Sequence, residues 1–440
     1  MTPQARTTRI VVAVSTALLA AYAILWAPLT PFDIGRSDFT AFYVGGTLLR
    51  EGHGAALYDE SLQGPLHAQL IAPDREGNLP FVDPPVAAAL VAPVTLLGLG
   101  SAYRLWALVE LAVLAAAVAI AVAAVPPEKG LSGMWRWSAG LAAMAGAGTL
   151  FALSQAQWTP VLALGLAVAF WCWQRIPDAV VGQRPPISRR AVLGGAALVA
   201  SALVGKPQLA LGLIAFMAGW RRRDVLFGAA AGLAGFALVS VAIAGPSGIA
   251  GFVRIVSGST IRWDPHLMLG VSGVAAALTG GGPAAFALGC ALAVVACAGA
   301  YVLGRRVRRD PSRLPLALAG AAAFSLFAAP HAYLDDLALL APVAAWCLAG
   351  AGTAHSQAGA GWWRARWAMA PALWMAVNGS AIVDLGAQGH LPAGPATAFV
   401  LAAAGAVALA ATRGRAALPL RYRAEDEAAL GAVAHGLRRW

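Results

Sequence analysis

The chain has 440 residues, of which 59% are apolar and only 12% charged, with a mean hydropathy of +0.70. A soluble domain is nearer half apolar and a quarter charged, so a water-soluble fold is all but excluded and the chain reads as an all-α polytopic integral membrane protein. The net charge of +11 does not point to nucleic acid, because the arginines gather in short segments between long uncharged ones, as the positive-inside rule expects of cytoplasmic loops.

In chain order, Arg6 and Arg9 precede an apolar run over about 10–27. A cleavable signal peptide would look similar, but at least ten further apolar segments follow, so this run is read as an uncleaved first helix. The longest polar stretch comes next, over 30–83, with Asp33, Asp38, Arg50, Glu51, His53, Tyr58, Asp59, His67, Asp74, Arg75 and Asp83. With a basic N-terminus inside, it is expected as a long loop on the outer face. Within it, Phe39, Phe42, Tyr43, Leu48 and Leu49 fall at helical spacing, which predicts an interfacial or re-entrant helix over 38–50.

Apolar helices are predicted near 84–98, 104–124, 137–153, 158–174, 191–204, 208–220, 225–244, 284–304, 314–329, 334–350, 366–383 and 395–411, with a short one near 266–279. Several are short for a full crossing and meet at polar breaks such as Ser154–Gln157 and Gly205-Lys206-Pro207. Polar backbone at membrane depth is tolerated only where it lines a cavity or is buried in protein. Basic segments at both ends belong on one side, so about 12 transmembrane helices are expected, in one domain over 1–412 with a cytoplasmic tail over 413–440. The first loop, the Gln157 turn, the Lys206 turn, a 245–264 loop and Pro330-His331 then all face outward. Cys172, Cys290, Cys297 and Cys347 sit in apolar runs without CxxC spacing and are read as core thiols in helices.

The chain has two lysines, Lys129 in a loop and Lys206 between two apolar helices. An ionisable group among membrane helices costs roughly 2.5–3.5 kcal/mol on insertion scales, which marks it as functional by default. Lys206 either snorkels to an interface or holds an anion such as a lipid phosphate beside the helix begun by Pro207. Asp38 either caps the following helix or acts as a general base towards an acceptor hydroxyl. Asp83-Pro84-Pro85 suits a helix start. His331 and Asp335 could share a helical face, but no third or fourth ligand is spaced nearby, and no metal is assigned. Walker A, GxGxxG and GxSxG sequences are absent.

Several of these residues form an ordered set of motifs over about 35–345. They are Ser37-Asp38-Phe39-Thr40-Ala41-Phe42-Tyr43 with Leu57-Tyr58-Asp59; Phe81-Val82-Asp83-Pro84-Pro85 with Ala92-Pro93; Gln157 before an apolar helix; Gly205-Lys206-Pro207-Gln208 with Trp220-Arg221-Arg222-Arg223; and Ala329-Pro330-His331 with Leu340-Ala341-Pro342. In this order they resemble glycosyltransferase family 87, a GT-C-type group of membrane enzymes that includes polyprenyl-phosphate-mannose-dependent α-mannosyltransferases. Two positions depart from the family pattern: Asp83 stands where an aromatic is usual, and Ala156 where glycine is usual.

The resemblance implies a hexose, most plausibly mannose, passing from a polyprenyl-phosphate donor to a lipid or glycan acceptor on the outer face of the cell membrane. It implies Asp38 as catalytic base and Lys206 and His331 as holders of the donor phosphate, with Tyr43, Tyr58, Asp83, Gln157 and Gln208 as further substrate-binding residues. No cofactor is expected, since a lipid donor needs no nucleotide loop and a fixed lysine charge can stabilise the leaving phosphate. The alternative is a transporter or lipid flippase, against which stand the long polar first loop and the lack of a clear internal repeat. A structural assembly subunit would leave Asp38 and Lys206 unexplained.

Overall fold

The computed structural model describes residues 3–73, 79–125, 133–176, 187–259, 268–354, 361–386 and 395–413. Lys129, Asp74, Arg75, Arg184 and the tail from 414 lie outside the described residues. Among the described residues the chain is all helical, with no strand.

Helix α1 (Pro3–Trp26) leads into three shorter helices, α2 (Pro31–Gly35), α3 (Phe39–Arg50) and α4 (Glu60–Ile71), which build a cap from the polar stretch. Next come α5 (Pro85–Val91), α6 (Leu99–Ala124), the bent pair α7 (Gly133–Met144) and α8 (Ala147–Gln155), then α9 (Thr159–Trp173) and α10 (Arg189–Val204). The second half holds α11 (Leu211–Trp220), α12 (Arg223–Ser259), α13 (Val271–Thr279), α14 (Gly282–Arg309), α15 (Leu314–Ala328), α16 (Leu340–Ala354), α17 (Gly361–Gly386) and α18 (Pro395–Ala411). Almost wholly buried, α16 packs against α6, α7, α9, α15 and α17 at the centre of the larger apolar core. A second, aromatic core lies under the cap and is built on Phe39, Phe42, Leu57, Phe81, Tyr103, Trp106 and Trp158.

Four expectations change. The 38–50 segment is a helix, but not an interfacial one, since Phe39 through Leu48 are all buried. Its neighbours come too close for lipid or water: a Cβ on Gly45 would lie 2.6 Å from the Phe81 ring, and one on Gly46 3.0 Å from the Ala92 nitrogen. The polar stretch thus carries helices, as expected, but they pack into a folded cap. The helix expected over 225–244 does break at Gly245, which is non-helical at φ 66° and ψ 175°, but a second helical stretch of α12 follows it as far as Ser259, where a loop was expected. The 137–153 helix is two helices, α7 and α8, that meet at an angle of 52°. Finally, Cys172 and Cys347 are core thiols, whereas Cys290 is exposed on α14 and Cys297 partly so. That helix presents Phe286, Val294 and Val295 outward as well, and apolar exposure of this kind suits a lipid-facing surface.

Six helices among the described residues are long and apolar enough to cross a membrane, or seven if the bent pair is one crossing. Four shorter apolar helices accompany them, at Pro85–Leu96, Thr159–Trp173, Pro207–Trp220 and Ala396–Ala411. Several segments expected as single helices are interrupted by proline or by 3-10 turns, at Ala92–Leu96, Pro207–Ala210 and Leu334–Leu339. A proline removes one backbone donor and closes off the preceding turn. Two of these interruptions carry the polar residues that matter most below.

Candidate active site

Asp38 occupies the N-cap position of α3, yet its side chain makes no capping bond. The turn before it is held by the hydroxyls of Ser37 and Thr40, which both donate to the Ile34 carbonyl, at 2.7 and 2.9 Å. This leaves the carboxylate free to reach the break between α8 and α9. There the Gln157 amide donates to Oδ2 of Asp38, and the Asp38 backbone N–H donates to Oε1 of Gln155 at 3.3 Å. Both glutamines flank Ala156, which ends α8 in the left-handed region at φ 53°, ψ 53°. An alanine there costs about 1–2 kcal/mol, a strain that glycine would not carry. The departure at Ala156 thus changes the ease of the turn and not its shape.

Lys206 lies in the break between α10 and α11 and is held by two consecutive carboxylates. Its Nζ donates to Asp335 and to Asp336, each at 2.8 Å. Asp336 also accepts from the Thr159 hydroxyl at 2.6 Å and from the Tyr333 backbone N–H at 2.9 Å. An ammonium has three protons, so two are committed inward and one is left for the cavity. Gly205 makes this geometry possible, since a Cβ there would fall 2.3 Å from Cβ of Trp158. Trp158 is itself wedged between Phe42 and Trp106, with ring centroids 5.5 and 5.1 Å away.

These elements enclose a cavity of about 450 Å³. Its polar floor carries Asp38, Asp83, Gln157, Lys206, Gln208 and His331, and Tyr333 joins them. The lining is also apolar in part, with Phe252 and Val256 from α12 and Phe286 from α14. Six of the eight residues singled out from sequence therefore share one space. The other two do not line it. The Tyr43 hydroxyl donates to the carbonyl of Leu97 at 2.8 Å, tying α3 to the turn before α6. The Tyr58 hydroxyl donates to the Asp83 carbonyl at 2.7 Å, behind the cavity wall. Both hydroxyls act here as struts between elements. His331 and Asp335 also part company: His331 lines the cavity and stacks edge-on against Tyr333 at 4.8 Å, while Asp335 turns to Lys206.

Burial raises the Asp38 carboxyl above the ordinary carboxylate range, against the pull of the Lys206 ammonium and the Gln157 amide. It carries Asp83 up to about 8, with Lys206 opposing and Asp38 assisting. His331 is pushed down to about 4 by burial and then by Lys206. Near neutrality His331 is an uncharged imidazole, able to donate a single N–H, and Asp83 is mostly a neutral acid that can also donate. The Gln157 amide lowers the Asp38 value, so Gln157→Leu is expected to raise it. The acid limb of a pH–rate profile would move to higher pH, and an unmoved limb would show that Gln157 does not act on the base.

Sequence reasoning paired Asp335 only with His331, placed Gln155 only in a polar break, and gave Asp336 and Thr159 no role. A signal existed for Asp335 and Asp336, because two adjacent carboxylates at the head of an apolar span need a buried cation, and Lys206 is the lysine set among such helices.

A model of glycosyltransferase family 87 matches residues 81–330. The match includes Asp83, Gln157, Lys206 and Gln208, and leaves Asp38, His331 and the two consecutive aspartates outside it. No curated protein and no solved structure matches the chain. The matched stretch covers more than half of the sequence, and the chain belongs to glycosyltransferase family 87, as a membrane glycosyltransferase that binds a sugar donor and an acceptor.

Proposed function

We propose that the protein transfers a hexose, mannose by the family likeness, from a polyprenyl-phosphate donor to a lipid or glycan hydroxyl, in a GT-C-like scaffold of about twelve crossings with the 30–83 cap on the outer face of the cell membrane. The observation that carries this reading is the shared cavity, whose lining combines a buried cation, a cap carboxylate and other polar groups with apolar side chains of α12 and α14. Such a space suits an amphiphile, with a sugar phosphate on the floor and a hydrocarbon chain against Phe252, Val256 and Phe286. Family membership favours an enzyme over the transporter or flippase.

Asp38 is the proposed general base, taking the proton of the acceptor hydroxyl as its oxygen attacks the anomeric carbon. The bond from that carbon to the phosphate oxygen breaks, and the departing phosphate carries its charge towards the remaining proton of Lys206. His331 and the neutral acid of Asp83 supply further hydrogen-bond donors. Attack from the face opposite the leaving group inverts the anomeric centre. Mass spectrometry of lipid-linked sugars and surface glycans in a deletion strain is expected to show loss of one hexosylated product and accumulation of its acceptor. An unchanged profile, together with no transfer by the purified protein from polyprenyl-phosphate hexoses, would overturn the assignment.

A further inference from the structure

Away from the catalytic cavity, α15, α16, α17 and α18 enclose an apolar groove of about 110 Å³. Its walls include Leu316, Gly320, Val343, Trp374, Leu401 and Ala404. The Trp374 indole N–H is already committed to the Ala142 carbonyl at 3.1 Å. A water held there would find too few polar partners, so the groove takes an apolar occupant. Along α18 it reaches from Leu401 to Ala411, which is about 15 Å at the helical rise.

The groove ends beneath a cluster of arginines. Arg306 donates to the Leu409 carbonyl and, at 2.8 Å, to the Thr412 hydroxyl, and Arg313 donates to the Thr412 carbonyl. These bonds bring the end of α14 and the start of α15 against the end of α18. The guanidinium groups of Arg309, Arg313 and Arg413 all act electrostatically on Arg306. Arg305, Arg309 and Arg413 are exposed. Within 305–313 the acidic residue is Asp310, and it pairs with Arg313 at 2.7 Å. The cluster is strongly positive and sits at the end of the apolar groove, next to Ala411.

We propose that this is a binding site for an anionic phospholipid, with one acyl chain in the groove between α15 and α18 and the phosphate headgroup under Arg309 and Arg413. Charge complementarity selects the headgroup, and the dry groove selects the chain; basic pockets between membrane helices hold anionic lipids in this way. Neither Arg309 nor Arg413 touches the catalytic cavity, so the site is separate from the transfer reaction.

The test is thermal unfolding of the purified full-length protein in detergent, with phosphatidylglycerol or phosphatidylcholine of identical chains added. Phosphatidylglycerol is expected to raise the midpoint by several degrees and phosphatidylcholine by much less, while inorganic phosphate alone leaves it unmoved. The double variant Arg309→Gln/Arg413→Gln, which spares the interhelical bonds of Arg306 and Arg313, is expected to erase the preference for the anionic lipid. Ala404→Leu, which fills the groove, is expected to erase the response to both. Equal stabilisation by the two lipids, or a preference that survives the double variant, would overturn the proposal. So would a preference that emerges only after residues 414–440 are removed, since the tail would then be the natural occupant.

Discussion

Replacing Asp38 by asparagine is expected to lower sugar transfer by ~10²–10⁴-fold, the usual contribution of a positioned general base, with the protein still folded in the membrane. The two side chains are nearly isosteric, and an asparagine oxygen can still accept from the Gln157 amide that now bonds Asp38. What is lost is the ability to take a proton. The α3 helix does not need the carboxylate as a cap, because the Asp38 side chain makes no capping bond, so a drop in activity cannot be traced to an unravelled helix end. A lipid-linked sugar assay on membranes matched for protein content reads the result directly, and wild-type activity in the variant would remove Asp38 from the mechanism. The base is expected to work only when deprotonated. Because burial raises the Asp38 value, the wild-type rate should begin to fall on acidification at a higher pH than an ordinary carboxylate would give.

Lys206→Met is expected to cost stability as well as activity. Lys206 is 9% exposed, and its ammonium is shared between Asp335 and Asp336, which are 3% and 0% exposed. Removing one partner of a buried ion pair typically costs about 3–5 kcal/mol, because the remaining charge has neither water nor a counterion. Here two carboxylates are stranded at the head of the central helix. The triple variant Lys206→Met/Asp335→Asn/Asp336→Asn removes the charges together and is expected to recover most of the thermal midpoint while staying inactive. A single variant as stable as wild type would show that the carboxylates do not depend on Lys206. A triple variant no more stable than the single one would place the loss in packing rather than in charge.

These two experiments separate roles that the sequence merges. Lys206 was expected as a cation held out to a phosphate, whereas the structure gives it a prior commitment to two carboxylates. Its phosphate role therefore rests on the one proton left over and on a positive charge already partly balanced. In the proposed reaction, uncharged donors from His331, Asp83 and Gln208 then carry more of the phosphate binding than a reading built on Lys206 alone assigns them.

Composition and periodicity determined that the protein lives in a bilayer, where its helices run, and where charge occurs without an orientational reason, at Asp38 and Lys206. The order of short motifs was enough to mark the family. These properties are legible because each depends on residues within a turn or two of one another, or on the scarcity of charge along an apolar chain. Tertiary structure alone decided who meets whom. The bonds from Lys206 to Asp335 and Asp336 span 129 and 130 positions, and that from Gln157 to Asp38 spans 119. It also buried α3 on all sides, because the approach of Phe81 and Ala92 to Gly45 and Gly46 is not written in the periodicity of α3. It turned Tyr43 and Tyr58 away from the cavity to backbone carbonyls, and it resumed a helix beyond the break at Gly245 where the sequence suggested a loop. Helical spacing fixes which side chains share a face, but the partner of that face is chosen by close packing between helices distant in the chain.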